Sequence, residues 1–272
     1  MTVDISNRAK RHSLFVFFVL AYAISWAVEI PLALRAQNLI DMPIPFSVHY
    51  LAAYGPMLAA IIVTWLTDGR DGLRELFGRM FRWRVLPVWW LVAIAPLLLH
   101  VLVAIVSRFI QGRWPDLGLL GQIDFLPNLG TGALLLWILT FGLGEETGWR
   151  GYALPRLQRG RSAFSATVIL WVLWSLWHLP LFFYSYDFFI VPGLLIGLLA
   201  GAVVFTWLYN STGGNILLVA VWHGAFNFTT GCIACKTGIA AAILSVLVVV
   251  WAVVAVSWCK PATLSCVDKQ VM

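Results

Sequence analysis

The chain is 272 residues long, 61% hydrophobic and only 11% charged, with a mean hydropathy of +0.88. No soluble fold can bury that much apolar side chain and still present a polar surface, so the chain reads as an all-α, polytopic membrane protein. Its formal net charge of +6 does not point to nucleic acid, because the arginines sit in short loops between apolar runs rather than on one polar face.

A helix rises about 1.5 Å per residue through about 30 Å of hydrocarbon, so a span takes about 20 apolar residues. Eight such runs follow one another: Leu14 to Leu34, Ser47 to Thr67, Pro87 to Ile110, Gly130 to Arg150, Ser162 to Tyr184, Phe188 to Tyr209, Gly214 to Gly231 and Thr237 to Trp258. Ala21-Tyr22-Ala23 loosely resembles a signal-peptidase site, but the apolar run continues past it to Leu34, and the first run is read as an uncleaved helix. Between the second and third runs, Asp68 to Arg84 mixes five arginines with Leu73, Leu76, Phe77, Met80, Phe81 and Trp83 at roughly helical spacing. Such a segment suits an amphipathic helix on an anionic leaflet as well as it suits an ordinary basic loop. No repeat or long polar linker divides the chain, so residues 1–272 form one helical domain.

Assigning the loops alternately gives fourteen Lys and Arg to one side and four to the other. The positive-inside rule then puts both termini in the cytoplasm, and it favours an even number of spans. Cys232 and Cys235 have redox-motif spacing, but they fall on the external side without a soluble fold around them; with Cys259 and Cys266 they make no repeated metal-ligand pattern.

Charges inside a span persist mainly where they pair or line a water-filled cavity. The embedded ionisable groups read from the sequence are Glu29, His100, Glu145, Glu146, His178 and His223, with Arg150 at a helix end. Glu146 and Arg150 are four apart, as are His223 and Asn227, so each pair shares a helix face. Adjacent residues point about 100° apart, so if Glu146 pairs with Arg150, Glu145 is left to face a cavity. There a partly desolvated carboxylate becomes a usable general base; two histidines and an amide complete a set able to activate water and bind an oxyanion. Taken singly, each histidine is more simply an interhelical hydrogen-bond partner, and Asn227 interhelical glue. Glu29 and His100 lack partners at helical spacing and are read as structural.

These residues resemble the motifs of the CPBP intramembrane proteases. Glu145-Glu146-Thr-Gly-Trp-Arg150 matches Glu-Glu-x-x-x-Arg, Trp174-Ser-Leu-Trp-His178 matches aromatic-x-x-x-His, and His223-Gly-Ala-Phe-Asn227 matches His-x-x-x-Asn. That family includes the CAAX prenyl protease of the Ras-converting type, the lysostaphin-resistance protein and bacteriocin-processing or self-immunity proteins. The similarity covers a core of about 130–228, and Trp174 departs from the Phe usual in the second motif.

The resemblance implies eight transmembrane helices around an intramembrane cavity and hydrolysis of a peptide bond in a membrane-proximal, lipidated or bacteriocin-like substrate. By motif, Glu145 activates the water with His178, while His223 and Asn227 bind the oxyanion. Glu146 and Arg150 support them. If a metal takes part, Glu145, His178 and His223 would hold Zn²⁺ with an open fourth position; there is no His-Glu-x-x-His, and a metal-free glutamate mechanism is preferred. The alternatives are a proton-coupled transporter, whose acid and imidazole groups would relay protons, and a non-catalytic scaffold or immunity protein.

Two expectations follow from these boundaries. Arg150 should lie at the cytoplasmic end of span four, where a cation meets the helix C-terminal dipole. Counted from the same span ends, Glu145, His223 and His178 lie about 8 Å, about 14 Å and about 24 Å deep, a spread too wide for one site unless helices begin elsewhere, tilt or break.

Overall fold

The computed structural model describes the backbone of residues 2–112, 114, 121–122, 129–231 and 239–272, and the side chains of that set from His12 onward except 239–241. Cys232 and Cys235 lie outside the described residues. The described chain is helical throughout, without strands.

The first helix, α1, runs Thr2–Ala36, and α2, Gly55–Met80, packs along it. Gly55 permits that approach, since a Cβ there would stand 2.8 Å from the carbonyl oxygen of Ala21. At Gly69 the backbone of α2 turns out of the helix, with φ 64° and ψ −151°, so residues 70–80 form a separate short helix. It is amphipathic: Leu76 and Met80 are buried, while Arg70, Asp71, Arg74 and Glu75 are exposed. Arg79 goes inward rather than to a lipid surface, and its Nη1 donates to the Tyr209 hydroxyl at 2.6 Å.

Next come α3, Pro87–Ala93, and α4, Ala95–Gln111, bent by 56° at the break before Pro96. The following helical run, α5, covers 132–157 and is only partly α-helical. It contains π-helical stretches at Ile138–Glu145 and Trp149–Ala153, which flank the turn Glu146–Gly148. The remaining helices are α6, Ala163–Trp177, α7, Val191–Ser211, α8, Ile216–Gly231, and α9, Ile239–Trp258. Ser162 caps α6 by accepting from the Ser165 amide. The tight reversal from α7 to α8 uses the left-handed Gly213 and Gly214, and Asn215 Oδ1 then accepts the Leu218 amide at 3.0 Å.

Among the described residues, four helices are long and apolar enough to span a membrane, or five if α3 and α4 make one broken span; α8 and residues 242–258 are shorter apolar helices. Membrane-span-capable helices are thus present, while length and composition do not by themselves yield a count of eight.

The loops meet in two groups. At one end Arg156 reaches Asp68 at 3.2 Å, Arg82 donates to the Gly213 carbonyl at 3.0 Å, and Gln158 and Asn210 exchange amide hydrogen bonds of 3.1 and 2.8 Å, joined there by the backbone of residues 262–270. At the other end Gln37 donates to the Phe183 carbonyl at 2.8 Å.

One boundary differs. Helix α5 continues seven residues beyond Arg150, to Leu157, and Arg150 is fully buried rather than exposed at a helix end. A buried arginine in an apolar sequence looks like the end of a span, because composition does not show its partners. Moving the end of the span to Leu157 also carries Glu145 about two turns deeper, to a depth between those of His223 and His178.

Two glycines let α5 sit against α2 and the turn before it: a Cβ on Gly144 would come within 2.5 Å of the Ala53 carbonyl oxygen, and one on Gly148 within 2.5 Å of the Pro56 carbonyl oxygen. Gly148→Ala should therefore force the two backbones apart and destabilise the fold by about 1–3 kcal/mol, the usual range for overpacking. Thermal unfolding in detergent, with Gly78→Ala as a control at an exposed helical position where a Cβ would meet nothing within 4 Å, will show the difference.

Candidate active site

Why Glu145 and Glu146 part company follows from the local backbone. They lie at the junction where the first π stretch of α5 gives way to the turn Glu146–Gly148, and such π insertions rotate neighbouring side chains out of α register. Glu146 points into the protein. Its Oε1 accepts from Arg150 Nη1 at 3.1 Å and from His223 Nδ1 at 2.8 Å, and both Glu146 and Arg150 are fully buried. The guanidinium is also stacked over the rings of Trp174 and Phe205, 4.7 Å from each centroid. Arg150 is thus neutralised and packed on its faces, as a buried cation must be.

Glu145 has a different partner. Its Oε2 accepts from Trp174 Nε1 at 2.7 Å, and the residue lines a cavity of about 740 Å³ together with His178, His223 and Asn227. The four motif residues from three helices therefore face one space.

The position of His178 follows from the proline two residues on. A residue preceding proline is pushed out of the α region, so α6 ends at Trp177 and a 3₁₀ turn, Leu179–Phe183, follows. This frees the imidazole to serve its own helix: Nδ1 donates to the Trp174 carbonyl at 2.7 Å, one of the carbonyls otherwise left unpaired at a helix end. A carbonyl can only accept, so Nδ1 carries the proton, and in the neutral ring Nε2 keeps its lone pair. His223 is held likewise through Nδ1 by Glu146. Each histidine thus has Nε2 left for the cavity.

Trp174, which sequence reasoning treated as a mere aromatic replacement, contacts Glu145, His178, His223 and Arg150. Besides its bonds to Glu145 and His178, its ring lies edge-on to His178 and His223, with centroids 5.5 and 5.9 Å apart, and under Arg150. Only the indole N–H distinguishes it from Phe in this respect. Trp174→Phe should keep the packing and remove the hydrogen bond. A hydrogen bond to a charged group contributes about 1.5–3 kcal/mol, so turnover is expected to fall roughly ten- to a hundredfold with little change in thermal midpoint. Steady-state kinetics beside a melting curve check both halves.

His49 was not among the embedded groups read from the sequence, because it stands at the edge of the second run. It lines the same cavity. Glu29 is fully buried on α1, and, contrary to the absence of local partners, it takes a hydrogen bond from the Tyr184 hydroxyl across 155 positions of sequence. His100 does not line the cavity. Cys259 and Cys266 are free thiols.

As for a metal, among the described residues no three His, Cys, Asp or Glu side chains converge closely enough to hold one. Glu145, His178 and His223 share the cavity wall without forming a ligand cage.

Comparison with known proteins bears on the same segment. Residues 127–229 match the family model of the type II CAAX prenyl endopeptidases, Rce1-like. The chain is also 31% identical over 173 residues to CAAX prenyl protease 2 of Methanococcus maripaludis, a match covering 58% of this chain. It spans 60% of that relative's length.

Proposed function

We propose that the chain, whose residues 127–229 match the Rce1-like family model and which is 31% identical over 173 residues to a CAAX prenyl protease 2, is a CPBP-type intramembrane endopeptidase that hydrolyses a peptide bond in a prenylated, CAAX-type substrate. The observation that carries this reading is the convergence of Glu145, His178, His223 and Asn227 on one cavity.

The chemistry follows from the atoms left free. Trp174 fixes Oε2 of Glu145, so Oε1 takes a proton from a water that His178 Nε2 orients. The hydroxide adds to the carbonyl carbon, and the resulting oxyanion meets Asn227 Nδ2–H and His223 Nε2–H. When both nitrogens of His223 donate, the ring is cationic; Glu146 supplies one negative charge between His223 and Arg150, and the oxyanion supplies the second. The C–N bond then breaks, and Glu145 returns its proton to the leaving amine. Water is thereby divided between the new carboxylate and the new amine.

A prenyl chain also suits the apolar part of the cavity. Gly193, Gly197 and Gly201 of α7 line it, and a Cβ on any of the three would meet nothing within 4 Å. That strip offers open apolar room beside the reacting groups. The arginine-rich end of the bundle, with both termini, is assigned to the cytoplasm by the excess of basic loop residues there.

The direct test is an internally quenched peptide ending in farnesylated Cys-Val-Ile-Met, incubated with the purified chain in nanodiscs. Cleavage after the modified cysteine is expected, at least tenfold slower for the unprenylated peptide and lost in His178→Ala. A folded wild-type protein that leaves the peptide intact would remove the reading.

A further inference from the structure

Three residues from outside the family motifs form a second polar array that reaches this cavity through His49. Glu29 lies on α1, His49 in the turn before α2, and Tyr184 in the turn after α6. The Tyr184 hydroxyl donates to Glu29 Oε1 at 3.5 Å and stands 2.7 Å from His49 Nδ1. No helical spacing joins them; the fold does.

The array fixes a tautomer. If the phenolic proton goes to the buried carboxylate, the phenol oxygen accepts, and His49 Nδ1 supplies the proton it accepts. The neutral ring then keeps a lone pair on Nε2, the nitrogen left for a ligand. The imidazole is packed by Phe46 and Phe141, with centroids 5.6 and 5.7 Å away, and lines the same cavity as Glu145 and His178. It therefore places one oriented acceptor in a mainly aromatic and apolar wall.

The ligand chemistry that fits such an acceptor is a backbone N–H. An extended peptide entering the cavity presents amide protons that lose their water, and a buried donor without a partner is strongly disfavoured. A carboxylate is a poor fit, since Glu29 and Glu145 are both close by. We propose that His49, oriented by Tyr184 and Glu29, is a positioning residue that accepts a hydrogen bond from a backbone amide of the bound peptide. This rests on the peptidase reading, and it assigns substrate register to residues that the three motifs do not contain.

Binding rather than turnover isolates the effect. The probe is a fluorescent peptide ending in farnesylated Cys-Val-Ile-Met with its scissile amide replaced by a reduced isostere, together with a series in which each remaining amide is N-methylated in turn. With the full chain in nanodiscs, one N-methyl position is expected to weaken wild-type binding about tenfold. His49→Phe, which keeps the ring packing, should weaken the unmodified peptide by a similar factor and show no further loss at that position. Tyr184→Phe should lie between the two, and His49→Gln, which restores an acceptor near Nε2, should recover both affinity and the N-methyl discrimination.

A His49→Phe protein with the wild-type N-methyl pattern would overturn this inference alone. Failure of the folded wild type to bind the unmodified peptide would overturn the peptidase reading and the inference with it.

Discussion

Glu145→Gln is expected to lower the rate constant for peptide cleavage by about 10²–10⁴-fold, the range typical of a lost general base, while leaving the fold in place. Gln is isosteric and still offers an oxygen to Trp174 Nε1, so the 2.7 Å contact that fixes the side chain survives. Position 145 is buried against the cavity rather than paired with Arg150, so neutralising it leaves no cation stranded. The expected pair of readings is a melting curve near that of the wild type and a progress curve near the background. A strongly destabilised Glu145→Gln protein would mean that this carboxylate, and not Glu146, holds the buried charge network together.

Arg150→Ala should do the reverse. Glu146 accepts both of its hydrogen bonds on one oxygen, one of them from Arg150, in a place with no solvent contact. Removing the guanidinium leaves a carboxylate buried with only His223 beside it and opens space under Trp174 and Phe205. Breaking a buried pair on one side costs about 3–5 kcal/mol, a large share of the usual folding free energy. Low folded yield in membranes and a markedly lower thermal midpoint are expected, with activity lost as a consequence. Arg150→Lys should recover part of the stability but not the stacking, because an ammonium lacks the planar face. A stable Arg150→Ala protein impaired only in the chemical step would instead place the guanidinium among the reacting groups.

These two variants separate residues that the sequence presents side by side. The pairing of Glu146 with Arg150 was legible from their spacing, as was the shared face of His223 and Asn227, because helical periodicity is local. The segment Asp68 to Arg84 could be read only as a choice between amphipathic helix and basic loop, and the break at Gly69 was not read at all. What could not be read was anything that depends on distant parts of the chain. Arg150 looked like the end of a span because charge is the only boundary signal in an apolar run, whereas its burial depends on Trp174 and Phe205 from two other helices. The same error made the site look too spread in depth.

Trp174 illustrates a second limit. Motif comparison records an aromatic ring, but the indole N–H acquires meaning only when a carboxylate lies 2.7 Å away. The π stretches of α5 are a third case, since nothing in the composition of residues 138–153 distinguishes them from ordinary helix. They arise where glycines let α5 press against α2 and α8, as a Cβ on Gly142 would meet the Ala220 carbonyl oxygen at 2.4 Å. Glu29, His49 and Tyr184 come from three separated elements, so no local pattern announces them.

The proposal that Glu145 activates water for direct attack on a peptide carbonyl is tested most directly by mass spectrometry of the products formed in H₂¹⁸O. The farnesylated Cys-Val-Ile-Met peptide, cleaved by the purified chain, should yield a new carboxylate on the prenylated cysteine carrying one ¹⁸O atom after a single turnover, and Glu145→Gln should yield none. Labelled product formed equally fast by the Glu145→Gln protein would contradict the assignment of the base.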